Sequence, residues 1–180
     1  MRTLVTSALT LVACAAAALI YVYSGSFDAA ADTLESPLAA WIAQTVRERS
    51  IAVRADDIVV PQLDDPDTIA RGADEYAQMC AGCHLGPGVA DNEFRKGLNP
   101  PAPDLAKADG AAARQFWIVK HGIKMTGMPA WGLTHDDATI WSIVAFLKKL
   151  PTLTPEQYAQ MTAESEAAHA EHDHMHESDE

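Results

Sequence analysis

The stretch Cys80-Ala81-Gly82-Cys83-His84 has the spacing Cys-x-x-Cys-His, by which c-type haem is attached to a polypeptide. Two thiols three positions apart at a helix end can form thioether bonds to the two vinyl groups on one edge of a porphyrin. The imidazole that follows is then held under the metal and can supply a nitrogen ligand to iron. The pattern occurs once, so it predicts one covalently bound haem c per chain, held by Cys80, Cys83 and His84.

A Cys-x-x-Cys pair also occurs in redox disulfides and as half of a zinc site. A zinc site of this type needs a second such pair, but the only other cysteine is Cys14, in the apolar N-terminal segment. A thioredoxin-like motif needs strands alternating with helices around it, and the sequence shows no such alternation. The adjacent His84 and an export signal both favour haem over these two alternatives.

The export signal is the uncharged apolar run from Leu4 to Tyr23. About 20 residues can cross a bilayer, so we expect a retained transmembrane anchor. The alternatives are a signal peptide cleaved after Ala31 and a lipoprotein signal in which Cys14 is lipidated. All three place the rest of the chain on the periplasmic side of the bacterial inner membrane, anchored or as a soluble periplasmic protein, and bacteria attach c-type haem there.

The composition divides the chain into four segments. Residues 1–31 are the anchor or signal, 32–64 a linker with an amphipathic helix, 65–150 the haem domain, and 151–180 an acidic, His-rich tail. The net charge of −12 resides mostly in the flanks of the haem domain. Binding to nucleic acid is not expected, because phosphate requires a basic surface.

Apolar residues within 34–50 recur at helical spacing, and Pro37 suits the first turn of such a helix after Ser36. We expect this helix to shield a face of the core; the alternative is that it docks a partner. Residues 51–61 are predicted to be extended, because Ile58-Val59-Val60 precedes a proline.

The haem domain is predicted to be all-α, with about three to five helices around the haem. One helix runs from Asp67 into the haem motif, a second covers 111–121, and a third follows Thr134, its expected cap, and ends at Lys149. A proline-rich loop at 99–105 and a methionine-containing loop at 124–132 separate these helices.

Residues 65–150 resemble a class I cytochrome c, a mono-haem c-type cytochrome. The resemblance rests on motifs in the family's order: Gly72 and Tyr76 before the haem motif, Pro103-Asp104-Leu105, Met128-Pro129-Ala130, and Phe146-Leu147. It implies that Gly72 lets the first and last helices cross closely near Phe146. It also implies that the Pro103 carbonyl accepts a hydrogen bond from the His84 ring and so orients it.

The distal ligand is expected from the loop at 124–132, which contains Met125 and Met128. Met128 is the expected ligand, because the family's methionine usually directly precedes a proline such as Pro129; Met125 is the alternative. Sulfur stabilises ferrous iron and raises the reduction potential. With both axial positions filled, the iron can change oxidation state with little rearrangement and offers no position to a substrate.

Several other residues carry two interpretations. Trp117 and Trp131 are either core residues or indole donors to the haem propionates. Three cationic side chains could pair with propionates, rim a docking face or remain solvated. We expect the solvated role for each of them, Arg95, Lys96 and Lys124. His121 and His135 are expected at the surface or in packing.

The tail contains His172, His174 and His176 around Met175, a pattern that can bind copper or zinc. The alternative is a disordered acidic tail without a metal site.

Together these features predict an electron-transfer protein of the respiratory chain rather than an enzyme. Its expected partners are a terminal oxidase, a periplasmic dehydrogenase or another cytochrome, with the N-terminal helix in the membrane. The alternatives are a haem enzyme or gas sensor with a labile distal ligand, and a periplasmic copper- or zinc-handling protein that uses the tail.

Overall fold

The structure is a computed structural model that describes residues 1–33 and 36–163. Its helices are α1 (Arg2–Tyr23), α2 (Pro37–Ala55), α3 (Pro66–Met79), α4 (Ala81–His84), α5 (Glu93–Lys96), α6 (Ala112–His121) and α7 (Asp137–Lys149). Short 3-10 helices cover Leu105–Lys107, Trp131–Leu133 and Leu150–Thr152, and residues 155–163 are helical. The described residues contain no strand, which confirms the all-α prediction.

Contacts divide the chain into two units, Met1–Glu35 and Ser36–Glu180. The first unit contains α1, a helix of 22 residues with a mean hydropathy of 2.1 and no buried residue. Its length and composition suffice to cross a membrane, and a transmembrane anchor and a signal sequence share these properties.

Helices α3 and α7 form the centre of the second unit. At the start of α3, the Asp65 carboxylate accepts a hydrogen bond from the Thr68 backbone N–H at 2.8 Å, ahead of Pro66 in the first turn. Tyr76 and Phe146, both fully buried, bring their rings to 5.3 Å between centroids. The largest other fully buried side chains, all on or just after α7, are Ile140, Ile143, Val144 and Leu150.

Helices α3 and α7 cross at Gly72, which has no side chain. A Cβ atom on Gly72 would lie 1.9 Å from the backbone carbonyl oxygen of Ser142. The close crossing that the family resemblance implies is therefore present, with its tightest contact one turn before Phe146. Only glycine allows the backbones of α3 and α7 to approach this closely.

The cap of α7 differs from the prediction. The carboxylate of Asp136, not the hydroxyl of Thr134, accepts the hydrogen bond from the Thr139 backbone N–H, at 2.8 Å. The Thr134 hydroxyl donates instead to the carbonyl of Trp131. The preceding 3-10 turn holds Thr134 away from the helix start, and Asp136 caps α7.

Helix α2 begins at Pro37 after Ser36, as predicted, but it continues to Ala55. The prediction of extended chain is wrong for residues 51–55, because Ile51 and Ala55, one helical turn apart, are both buried. This face packs against α6 and shields the domain, as expected. The opposite face of α2 exposes apolar side chains, namely Leu38, Ile42, Val46 and Val53.

The segment after Pro151 begins with a reciprocal cap. The side chain of Gln157 accepts from the Thr154 N–H at 2.9 Å, and the Thr154 hydroxyl accepts from the Gln157 N–H at 3.2 Å. Residues 155–163 continue from this cap as a helix. Tyr158 follows and is buried against Gly86, just after the Cys-x-x-Cys-His motif, so this segment supports the motif from outside.

Candidate functional site

A cavity of about 290 Å³ lies between the proline-rich loop, α6 and the methionine loop. His84 and Met128 both line it. Most of the remaining wall is apolar, including Leu98, Leu105, Ile118, Val119, Ile123 and Leu147. A cavity of this size suits an apolar organic group rather than a bare ion.

His84 is the last residue of α4, which continues from α3 after Cys80. Its Nδ1 atom lies 2.9 Å from the carbonyl oxygen of Pro103, the contact that the family resemblance implies. A carbonyl oxygen only accepts, so Nδ1 carries the proton and the Nε2 lone pair is free. Burial lowers the pKa of His84, against the opposing effect of the Pro103 hydrogen bond, and keeps the ring neutral at pH 7. The imidazole is therefore oriented and in the state that binds a metal.

The two cysteines of the motif lie at the junction of α3 and α4. Cys80 is only 7% exposed, and burial raises the pKa of its thiol to about 12. A thiol with this pKa is protonated at pH 7, whereas redox-active cysteines are thiolates. Among residues 1–33 and 36–163, no three His, Cys, Asp or Glu side chains are grouped to hold a metal ion. Both observations favour the haem interpretation over a redox disulfide or a zinc site.

The structure separates the two candidate distal methionines. Met128 lines the cavity and packs against the core, whereas the side chain of Met125 is 96% exposed. The Thr126 hydroxyl donates to the Ile123 carbonyl at 2.7 Å and accepts from the Met128 N–H at 3.1 Å. The Ile123 N–H donates to the Met128 carbonyl at 3.2 Å. This turn holds Met128 at the cavity wall.

The backbone turns sharply just after His84. Leu85 has φ 61° and ψ −167°, a conformation that costs a residue with a side chain about 1–3 kcal/mol. The buried Tyr76 hydroxyl donates to the Leu85 carbonyl at 2.6 Å, and burial raises the pKa of Tyr76, so this hydroxyl stays protonated. The hydrogen bond from α3 therefore holds the turn that positions His84.

We expect Tyr76→Phe to lower the free energy of unfolding by about 1–3 kcal/mol, because the buried Leu85 carbonyl loses its partner. Denaturant unfolding of the wild type and the variant, compared at equal m-values, measures the difference. A loss below about 0.5 kcal/mol would show that this hydrogen bond does not hold the turn.

The two tryptophans, Trp117 and Trp131, are not among the residues that line the cavity. Trp131 packs against the core and meets His135 edge-on, with ring centroids 5.5 Å apart. Trp117 lies against His121 at 4.9 Å. These are packing contacts, and donation from either indole to a propionate stays a prediction. His121 is exposed and His135 is half-buried, which agrees with the expectation of surface or packing positions.

Arg95 differs from its expected solvated role. Its guanidinium donates to the Ala102 carbonyl at 2.8 Å and pairs with Asp91 at 3.2 Å, and the side chain is only 20% exposed. It therefore ties α5 to the proline-rich loop that holds Pro103. Lys96 and Lys124 are exposed, as expected. His172, His174 and His176 lie outside the described residues.

The sequence patterns did not predict that α2 contributes to the cavity. Arg47, Glu48 and Ile51 of α2 line it, as do Arg114 and Gln115 of α6. A Glu48 carboxylate oxygen accepts a hydrogen bond from the Arg114 guanidinium and joins the two helices. The apolar periodicity of α2 indicated a covered face, but no local signal shows which element covers it.

The residues present fit a covalently attached haem. Two thiols at the attachment spacing directly precede His84 in the chain. The imidazole of His84, with one nitrogen free, and the thioether residue Met128 line the cavity, and the wall is mainly apolar. Soft sulfur and imidazole nitrogen are ligands that iron takes in haem proteins.

The chain matches a model of a known protein family. The family model described as cytochrome c oxidase, cbb3-type, subunit III, matches residues 67–147. The matched stretch runs from α3 into α7 and contains the haem motif, the proline-rich loop and the methionine loop, but not α1, α2 or the tail. No curated protein and no solved structure matches the chain.

Proposed function

We propose that this protein, whose residues 67–147 are a c-type cytochrome domain, carries single electrons between redox partners through one haem c. The observation that carries this proposal is that His84, which directly follows the Cys-x-x-Cys pair in the chain, and Met128 line the same mainly apolar cavity. Bound haem c supplies a one-electron Fe(II)/Fe(III) couple.

Each residue of the site has a separate task. Cys80 and Cys83 supply the sulfur atoms that attach the group, and His84 presents Nε2 because Pro103 holds Nδ1. Met128 would hold the iron through its thioether, a ligand that favours the ferrous state. Most of the cavity wall is apolar. An apolar wall would limit the reorganisation of solvent when the iron changes charge.

A haem held by both His84 and Met128 would leave no open position for a substrate or a gas, which supports a carrier over a haem enzyme or gas sensor. The matching family is described as a subunit of a cytochrome c oxidase, which supports a carrier that works with a respiratory complex. A periplasmic dehydrogenase or another cytochrome is the matching donor. Helix α1 is long and apolar enough to tether the domain at the periplasmic face of the inner membrane.

The test uses the full-length protein produced in a bacterium with a c-type haem maturation system. We expect the intact mass to show one covalent haem, and the ferrous protein to bind carbon monoxide neither rapidly nor stoichiometrically. A Cys80→Ala, Cys83→Ala double variant is the control and should carry no covalent haem. Fast stoichiometric binding of carbon monoxide to the wild type would contradict closed coordination and favour a sensor or enzyme.

A further inference from the structure

Three charged side chains lie together on the cavity wall, apart from the imidazole of His84. They are Arg47 and Glu48 of α2 and Arg114 of α6. Glu48 contacts both arginines: a carboxylate oxygen lies 3.7 Å from Arg47 Nε, and the other carboxylate oxygen accepts from the Arg114 guanidinium. The two arginine side chains are about one third exposed, at 30% and 31%, and therefore lie at the edge of the cavity.

A polar atom beside this cluster is unpartnered. Gln115 Oε1 is buried, lines the same cavity, and has no hydrogen-bond partner among the described residues. A rotation of the amide by 180° would place its NH₂ group at the same point, since the two orientations have nearly the same shape. An amide NH₂ at that position can donate to a carboxylate.

The positions of the substituents on haem c determine which of its groups would contact this cluster. The two vinyl-derived carbons lie on one edge of the macrocycle and are bound by Cys80 and Cys83, so the two propionates lie on the edge away from the thioethers. A carboxylate buried against the apolar part of the wall would be costly. The cluster of Arg47, Glu48 and Arg114 supplies the cationic part of the described wall.

We infer that Arg47 and Arg114 bind the haem propionates, so that α2, which lies outside the matched stretch of 67–147, is part of the haem site. This inference rests on the proposed function. Arginine suits the role because its guanidinium pairs with carboxylates in a bidentate manner and is always charged. Glu48, whose side chain is 45% exposed, turns toward solvent as the propionates take its place beside Arg114.

The cluster then affects the redox equilibrium. A positive charge near the iron favours the ferrous state, and a negative charge disfavours it. Removing either arginine charge should therefore lower the reduction potential, and removing the Glu48 charge should raise it. The sign of the shift distinguishes charge from a general disturbance of packing, which would move all three variants in the same direction.

The experiment is potentiometric titration of the full-length, haem-loaded protein and four variants. At a fixed applied potential we expect Arg47→Gln and Arg114→Gln each to lower the ferrous-to-ferric ratio about 3- to 10-fold, and Glu48→Gln to raise it. A tenfold change in this ratio corresponds to about 59 mV for one electron. The matched control is Arg49→Gln, because Arg49 lies on the same helix, is exposed, and is not on the described cavity wall. It should change the ratio less than about twofold.

A second measurement reports the propionates directly. Resonance Raman bands of the propionate groups should shift in Arg47→Gln and Arg114→Gln and stay unchanged in Arg49→Gln. If a glutamine variant does not fold, Arg47→Lys and Arg114→Lys keep the charge, and they should retain the potential while shifting the propionate bands. Haem-loaded arginine variants that match Arg49→Gln in both measurements would overturn the inference and leave the proposed function intact. A wild-type protein without haem would overturn both.

Discussion

Replacing Gly72 by alanine is expected to destabilise the haem domain by about 3 kcal/mol or more. The added Cβ would lie 1.9 Å from the Ser142 carbonyl oxygen and 2.4 Å from its carbonyl carbon. These are backbone atoms in the middle of α7, so no side-chain rotation relieves the overlap. The helices must separate, and the fully buried pair of Tyr76 and Phe146 then loses contact. The clash outweighs the gain of about 1 kcal/mol that alanine has over glycine inside a helix.

Guanidinium unfolding, followed by circular dichroism, measures this loss of stability. Gly97→Ala is the matched control, because a Cβ at Gly97 meets only ordinary contacts, the nearest at 3.7 Å. The control should change the free energy of unfolding by less than about 0.5 kcal/mol. Equal stability of the two variants would show that the helix crossing has more room than the structure shows.

Replacing Met128 by alanine is expected to lower the reduction potential by more than about 100 mV, because axial ligands set haem potentials over a range of about 0.8 V. The variant removes the thioether of Met128, which lines the same cavity as His84. Ferrous protein should then bind carbon monoxide stoichiometrically, and the sulfur-to-iron charge-transfer band of the ferric protein should disappear.

Met125→Ala is the control for this prediction. The Met125 side chain is 96% exposed and lies three residues away in the same loop. We expect it to leave the potential within about 20 mV of the wild type, a change of about twofold in the redox equilibrium. The assignment of Met128 fails if Met125→Ala produces the larger shift, or if neither variant opens the iron to carbon monoxide.

The features that could be predicted from the sequence are those that depend on residues close together in the chain. The Cys-x-x-Cys-His spacing places two thiols and an imidazole on adjacent turns whatever surrounds them, and helices α3 and α6 agree with prediction to within a residue or so. Their limits follow from local chemistry: Asp65 and Pro66 start α3, and Gly122, with φ 63°, ends α6.

The predictions that proved wrong concern segments whose local sequence is compatible with two structures. Thr134 and Asp136 are both good caps two residues apart, and the hydrogen bond of Thr134 to the preceding 3-10 turn decides between them. Residues 51–55 are mostly apolar, a composition that is compatible with a strand or a helix. Ile51 and Ala55 are buried on one face, and this burial favours the helix. The spacing to Pro129 favoured Met128 as the distal ligand but did not exclude Met125. Met128 lines the cavity, whereas the side chain of Met125 is exposed.

The amino-acid sequence alone determined the attachment motif, the helical class and the positions of His84 and the methionine loop, since each depends on groups a few residues apart. Only the tertiary structure decided that α2 forms part of the cavity wall. The ion pair of Glu48 and Arg114 joins residues 66 positions apart in the chain. A periodic pattern shows that a helix has a face to bury, but the partner of that face depends on how distant segments pack together.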